Sequence, residues 1–196
     1  MLTKVSSHLT NTNQILEKLR NLRLGSSCVI VSFDVTSLYT NVQNEQALQA
    51  LSEMLDGLGR SIETFGLGKA RIMTFINECL GCNIFKWSAS YYPQIRGLAM
   101  GQRLAHVLAI CFMSRMEEPI LARSPSMYCR CTDDCCIVTS VQSVMDECFR
   151  IMNEQSQYIR LTRGILQDGR LSYLNTQIKV FSGYTLSGTE KEARTF

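Results

Sequence analysis

Several things are scarce in this sequence, and each scarcity excludes a class. Net charge is nearly absent. Lys and Arg number 20 against 17 Asp and Glu, leaving +3, which is not the strongly basic balance of a protein that coats DNA. Only 3 Pro and 12 Gly occur in 196 residues, so collagen-like and low-complexity classes are out. No apolar run approaches the roughly 18 residues of a membrane span. The longest, residues 104–113, is interrupted by His106 and flanked by Arg103 and Arg115, so no membrane partner is expected. The first ten residues lack the apolar segment of a signal peptide. Nine cysteines are an odd number and cannot all pair; reduced thiols in an intracellular compartment are expected.

What is present is a core. Apolar residues make up 45% and charged residues 19%, which excludes a disordered chain. The length suits one domain with at most an appendage. Charge is unevenly placed. Residues 28–58 hold Asp34, Glu45, Glu53 and Asp56 and no base, a net of −4. Residues 86–130 hold Lys86 and five Arg (96, 103, 115, 123, 130) against Glu117 and Glu118, a net of +4. Scattered solvated Arg is the plain explanation of that stretch; phosphate contact is the functional one, since the guanidinium suits phosphate well.

Hydrophobic spacing predicts a helix over residues 13–24, ended by Gly25, and a buried strand over 28–33 that delivers Asp34. A helix capped by Asn44 runs to 58, and another covers 69–80. Residues 84–87 and 91–95 predict a hairpin with Ser88-Ala89-Ser90 at its turn. Residues 102–118 form a helix apolar nearly all round, hence buried. Residues 127–131 and 135–138 read as strands flanking Thr132-Asp133-Asp134. A helix over 144–152 and a strand over 173–181 come next, with Gly183 starting a turn. The irregular mixture predicts an α+β fold, an antiparallel sheet with helices on one face.

Two foci of carboxylates stand out. Asp34 ends a strand, and Asp133-Asp134 sit in a hairpin turn. An Asp pair is an ordinary turn sequence, and Asp34 could merely cap the next element of the chain. Brought together, the three would make an oxygen-only site suited to Mg²⁺ with substrate phosphates, and two such ions support in-line phosphoryl transfer.

The surrounding residues decide between these readings. Ser32-Phe33-Asp34-Val35-Thr36-Ser37-Leu38-Tyr39-Thr40-Asn41-Val42 resembles motif A of reverse transcriptases, in the wording of the Penelope-like retroelement lineage, which is related to telomerase. Gly97-Leu98-Ala99-Met100-Gly101-Gln102-Arg103-Leu104-Ala105 resembles motif B of that lineage. Cys129-Arg130-Cys131-Thr132-Asp133-Asp134 stands where motif C belongs, and residues 171–178 resemble the strand segment after it. Asp34 and Asp133 lie 99 positions apart, with the glycine motif between them.

The resemblance implies a polymerase palm over residues 28–182, preceded by a helical lead-in (1–27) and followed by a C-terminal end (183–196). It implies an RNA-directed DNA polymerase with an RNA template, a DNA primer and dNTPs as partners. Two Mg²⁺, or Mn²⁺, would be held by Asp34, Asp133 and the Val35 carbonyl, with Asp134 as the neighbouring acid. Tyr39 is implied to pack against the sugar, where a ring would collide with a 2′-hydroxyl. Met100 and Gly101 are implied to form the turn that lets backbone approach the nucleotide. Arg96 and Arg103 flank that turn and are assigned to phosphate. Trp87, Tyr91 and Tyr92 are expected to pack in the core or across the hairpin, with base stacking as the alternative.

The sequence departs from the family pattern at named positions. Cys131 replaces an aromatic residue, His106 stands where the lineage has Pro in motif B, and Gln43 stands where Pro follows motif A. Only 33 residues precede Asp34, too few for the fingers strands, so fingers and thumb are expected from a longer parent protein. Two other classes remain. One is a non-catalytic nucleic-acid-binding remnant using residues 86–130. The other is a zinc-binding module on Cys79-x-x-Cys82 and the cluster Cys129, Cys131, Cys135 and Cys136, awkward because Cys135 and Cys136 face opposite ways on one strand.

Overall fold

In the computed structural model, the structure describes residues 5, 7–22, 28–59, 63–181 and 185–190, with backbone alone at 180–181 and 185–190. The chain divides into two compact units. One is built on Ser37–Arg115, and the other on Ser6–Thr36 and Met116–Phe196.

The second unit is organised by the strand that the apolar run predicts. β1 (Val29–Thr36) runs past Asp34 by two residues. It lies inside a four-stranded antiparallel sheet of order β4-β5-β1-β6, made with β4 (Met127–Cys131), β5 (Asp134–Thr139) and β6 (Arg160–Gly164). The period of two sorts its side chains. Val31, Phe33 and Val35 are buried toward one face. There α6 (Gln142–Glu154) buries Met145, Cys148, Ile151 and Met152, and Phe149 meets Phe33 edge-on at 5.1 Å. Ile30, Ser32 and Asp34 take the other face.

That other face is covered at one end only. Ile30, Met127, Cys129, Cys136 and Val138 pack there with Ile15 and Leu19 of α1 (Thr12–Asn21). Leu171 and Tyr173 of β7 (Arg170–Tyr173) and Ile178 of β8 (Thr176–Phe181) complete the cluster. β7, β8 and β9 (Thr185–Glu190) form a separate three-stranded antiparallel sheet. The N-terminal segment adds to the β4 edge: Leu9 N–H donates to the Arg130 carbonyl and Arg130 N–H to that of Ser7, both at 2.7 Å.

The first unit begins with a single helical turn, α2 (Leu38–Asn41), entered through Ser37 in the left-handed region at φ 52°. α3 (Asn44–Leu58) and α4 (Lys69–Gly81) come next, then the hairpin of β2 (Ile84–Trp87) and β3 (Ser90–Pro93). α5 (Arg103–Leu121) starts in this unit and carries the chain to the boundary at Arg115.

The α+β expectation holds: helices and antiparallel strands share the chain, with α6 along one sheet face. Several boundaries differ. α1 stops at Asn21 rather than at 24 because Leu22 is extended; the Gly25 stop and the Gly183 turn lie outside the described residues. Asn44 is the first residue of α3 and not its cap, which is Gln43 with no side-chain bond. The strand expected over 173–181 is two strands, broken by a turn at Leu174-Asn175 where Leu174 takes φ 51°. Trp87 and Tyr91 are not core: they are 69% and 72% exposed. Tyr92 does pack across the hairpin, its ring 5.8 Å from that of Phe85. No helix among the described residues is long and apolar enough to cross a membrane.

A candidate carboxylate centre

The antiparallel register decides which acids meet. β1 pairs with β5 as Ile30 with Val138, Ser32 with Cys136 and Asp34 with Asp134. Asp34 and Asp134 are therefore direct cross-strand partners on one face, at the end the apolar cluster leaves open. Asp133 occupies the two-residue turn just before β5. Its carbonyl accepts the Val35 N–H at 3.2 Å, which ties the turn to β1. The carbonyl of Asp134 accepts the Tyr173 hydroxyl at 3.0 Å.

Like charges placed directly opposite each other in a sheet repel. Asp134 shows the consequence. Partial burial, then the Asp133 and Asp34 carboxylates, push its acid up to about 6 from an ordinary 3.8. None of the three carboxylates has an ion-pair partner among the described residues. The arrangement is an uncompensated concentration of hard oxygen donors.

The donor chemistry fits a hard divalent cation, which takes one or two protein carboxylates and completes its shell with water and phosphate oxygens. Among the described residues no three His, Cys, Asp or Glu side chains are gathered into one metal-ligating cluster. That holds for the cysteines too: Cys129, Cys135 and Cys136 are buried free thiols between the strands, while Cys79 and Cys82 are exposed. The tetrahedral zinc centre considered from sequence is therefore not assembled. A cavity of about 630 Å³ in the same unit is lined by Arg163, Asp168, Arg170 and their neighbours, and none of the three carboxylates lines it.

The remaining sequence-derived residues belong to the first unit. Tyr39 is half-buried, and its hydroxyl shares a hydrogen bond of 3.2 Å with His106 Nδ1. Met100 is 72% exposed. Gly101 is exposed, and a Cβ there would meet nothing within 4 Å. The glycine that close packing requires is Gly97, at φ +84°, where a Cβ would come within 2.8 Å of the Tyr39 carbonyl. Leu98 N–H donates to that same carbonyl at 2.6 Å. Arg96 donates to Asn41 Oδ1 at 2.8 Å. Arg103 is exposed at the first residue of α5.

Among solved structures, the chain is similar to apo telomerase from Candida tropicalis, with a TM-score of 0.76 and 13% identity over 96% of this chain and 38% of that one. The same telomerase truncated from its C-terminal domain gives 0.74 and 13%, over 94% and 41%. Telomerase from Candida albicans with a TWJ fragment of telomeric RNA gives 0.70 and 12%, over 98% and 37%. The fold is reverse-transcriptase-like. At this identity the likeness is one of fold, and the chain spans about two fifths of the length of the structures it matches. No protein-family model matches the sequence, and no curated protein matches it.

Four features of this reverse-transcriptase-like chain escape sequence reasoning. Arg130, counted among the phosphate-seeking bases, is fully buried; its Nε donates to Glu117 Oε2 at 2.9 Å. Glu117 also accepts the Ser7 hydroxyl. Arg130 donates further to the Thr132 carbonyl at 3.0 Å. Thr132, a β-branched residue, sits at φ 54° just before the two acids, a conformation that persists only when its surroundings hold it. Arg115 and Arg123, from the same basic stretch, pair with Glu53 and Glu147. Finally, His106 is the hydrogen-bond partner of Tyr39. A buried Arg in a strand of alternating cysteines is the one signal that pointed to the first of these.

Proposed function

We propose that residues 28–182 are the palm of an RNA-directed DNA polymerase of the Penelope-like lineage. It would add nucleotides from dNTPs to the 3′-hydroxyl of a DNA primer on an RNA template. The observation that carries this reading is the cross-strand pairing of Asp34 with Asp134, with Asp133 in the adjoining turn. That puts two carboxylates side by side on one face of a reverse-transcriptase-like fold, with a third in the adjoining turn. The telomerase neighbours include one holding a fragment of telomeric RNA, which favours RNA as the partner.

Asp34 and Asp133, with the Val35 carbonyl, are the groups that would hold two Mg²⁺, or Mn²⁺. Such ions supply charge neutralisation for the triphosphate and activation of the primer hydroxyl. The chain's own contribution is placement. β1 holds Asp34 rigidly, and the Val35 N–H fixes the backbone at Asp133. Without metal, Asp134 has its acid lifted to about 6 and carries a proton more readily than a free aspartate; a bound cation would favour its ionised form. Tyr39 is the proposed sugar-facing ring, kept in orientation by His106. Met100 and Gly101, exposed in the turn before α5, are the proposed backbone beside the nucleotide, and Arg96 and Arg103 are the proposed phosphate contacts.

The test is primer extension on an RNA template with Mg²⁺, run beside Asp34→Asn and Asp133→Asn. Extension by the native chain that disappears in both variants is expected. Extension that survives in either variant would overturn the assignment of these acids.

A further inference from the structure

The β2–β3 hairpin keeps its shape without being covered. Its register runs from Ile84 opposite Pro93 to Trp87 opposite Ser90. Ser88 and Ala89 at its tip both have positive φ, 45° and 67°, as a tight two-residue hairpin turn demands. At its root, Gln94 N–H donates to the carbonyl of Asn83 at 2.8 Å. The Asn83 side chain is buried and accepts from Gln102. Every residue of both strands is exposed. A monomer rarely leaves so many large apolar side chains together in water without a use for them.

The alternation of strand faces sorts the rings. Phe85, Trp87 and Tyr92 share one face, and Phe85 and Tyr92 already lie stacked at an interplanar angle of 29°. Tyr91 and Lys86 share the other, with the ammonium 5.8 Å from the ring centre. The charge along this part of the sequence has one sign. From Cys79 to Met116 there is no Asp or Glu, while Lys86, Arg96 and Arg103 fall in that stretch; Arg115 is paired with Glu53. Flat rings fixed in place, with a cation against one of them, are the chemistry that takes a polyanion with π faces. A duplex hides those faces and an unpaired strand presents them.

We propose that this hairpin is a stacking platform for a single-stranded RNA. Ser88, Ser90 and the two tyrosine hydroxyls stand beside the rings as hydrogen-bonding groups for a 2′-hydroxyl, which selects RNA over DNA. The inference goes beyond the polymerase reading: it needs neither metal nor chemistry.

Trp87 is the only tryptophan in the chain, so its emission reports on the platform directly. The full chain is titrated in EDTA with oligouridylate, with labelled-RNA anisotropy as an independent measure of binding. Saturable quenching that weakens as salt rises is expected. Phe85→Ala and Tyr92→Ala should each weaken binding about 5-fold or more, the low end of what one stacked base contributes. Lys86→Ala should lower the log–log salt slope by about one. These side chains are exposed, so unchanged circular dichroism separates lost binding from lost fold. Binding without quenching, or no binding at all, would overturn the platform. Equal quenching by duplex RNA would overturn the single-strand assignment, and equal quenching by oligothymidylate the choice of RNA. Because the titration excludes metal, its failure leaves the extension result standing.

Discussion

Arg130 and Glu117 form a salt bridge of 2.9 Å with both side chains essentially out of water, at 0% and 1% exposure. The same guanidinium holds the Thr132 carbonyl, one residue before Asp133. The pair is a support under the turn that carries the acids. Removing one partner of a buried pair strands a charge and typically costs about 3–5 kcal/mol. Arg130→Met and Glu117→Gln should each lower stability by that order in urea unfolding, while the double change to Met and Leu should recover most of the loss. Single variants indistinguishable from the native chain would remove this support from the account.

The crowding at Asp134 makes a pH prediction. Its folded acid is raised from 3.8 to about 6, so the folded state binds the proton more tightly than the unfolded chain does. The stability this provides is fully present below about pH 4 and is lost as pH climbs through 6. In metal-free buffer, Asp134→Asn should flatten the fall in urea midpoint between those values relative to the native chain. Parallel profiles for the two proteins would contradict the crowding.

Two glycines before α5 should behave differently. Gly97 is in the left-handed region with the Tyr39 carbonyl in the way of a Cβ. Gly97→Ala should therefore cost about 1–3 kcal/mol of stability, the usual range for a strained backbone. Gly101 has open space around it. Gly101→Ala should leave the melting temperature unchanged and reduce extension, because the methyl intrudes where the nucleotide is proposed to approach. A stability loss at Gly101, or none at Gly97, would reverse these roles.

His106 is argued to position Tyr39 through their 3.2 Å hydrogen bond. One such bond contributes about 0.5–1.5 kcal/mol net. His106→Ala should therefore lower the preference for dNTPs over ribonucleotides about two- to tenfold with little change in overall extension rate, and Tyr39→Ala should lower it further. An unchanged preference in His106→Ala would show that the bond does not orient the ring.

Much of the carboxylate centre was legible in sequence because strands and turns announce themselves. β4 falls on the residues the apolar pattern marks, 127–131, and Asp133 sits in the turn after it, while Asp134, expected in that turn, is already the first residue of β5. What stayed hidden lacked a local signal. β6, Arg-Leu-Thr-Arg-Gly, lies at the sheet edge with only Leu161 buried, so its pattern is that of a loop. α2 is one turn long and shows no helical period. Arg130 reads as a surface base until Glu117, 13 residues away in sequence, is seen opposite it. Trp87 and Tyr91 read as packed strand residues because a sequence reports ring types and not what covers them.

Asp34 and Asp133, with the Val35 carbonyl, are proposed to hold a divalent metal, with Asp134 as the neighbouring acid. The direct measurement is Mn²⁺ binding to the folded chain by electron paramagnetic resonance, beside Asp34→Asn and Asp133→Asn, with Mg²⁺ as competitor. The account predicts bound Mn²⁺ that Mg²⁺ displaces and that both variants fail to hold. A native chain that leaves Mn²⁺ free in solution, or variants that bind it as well as the native chain, would contradict it.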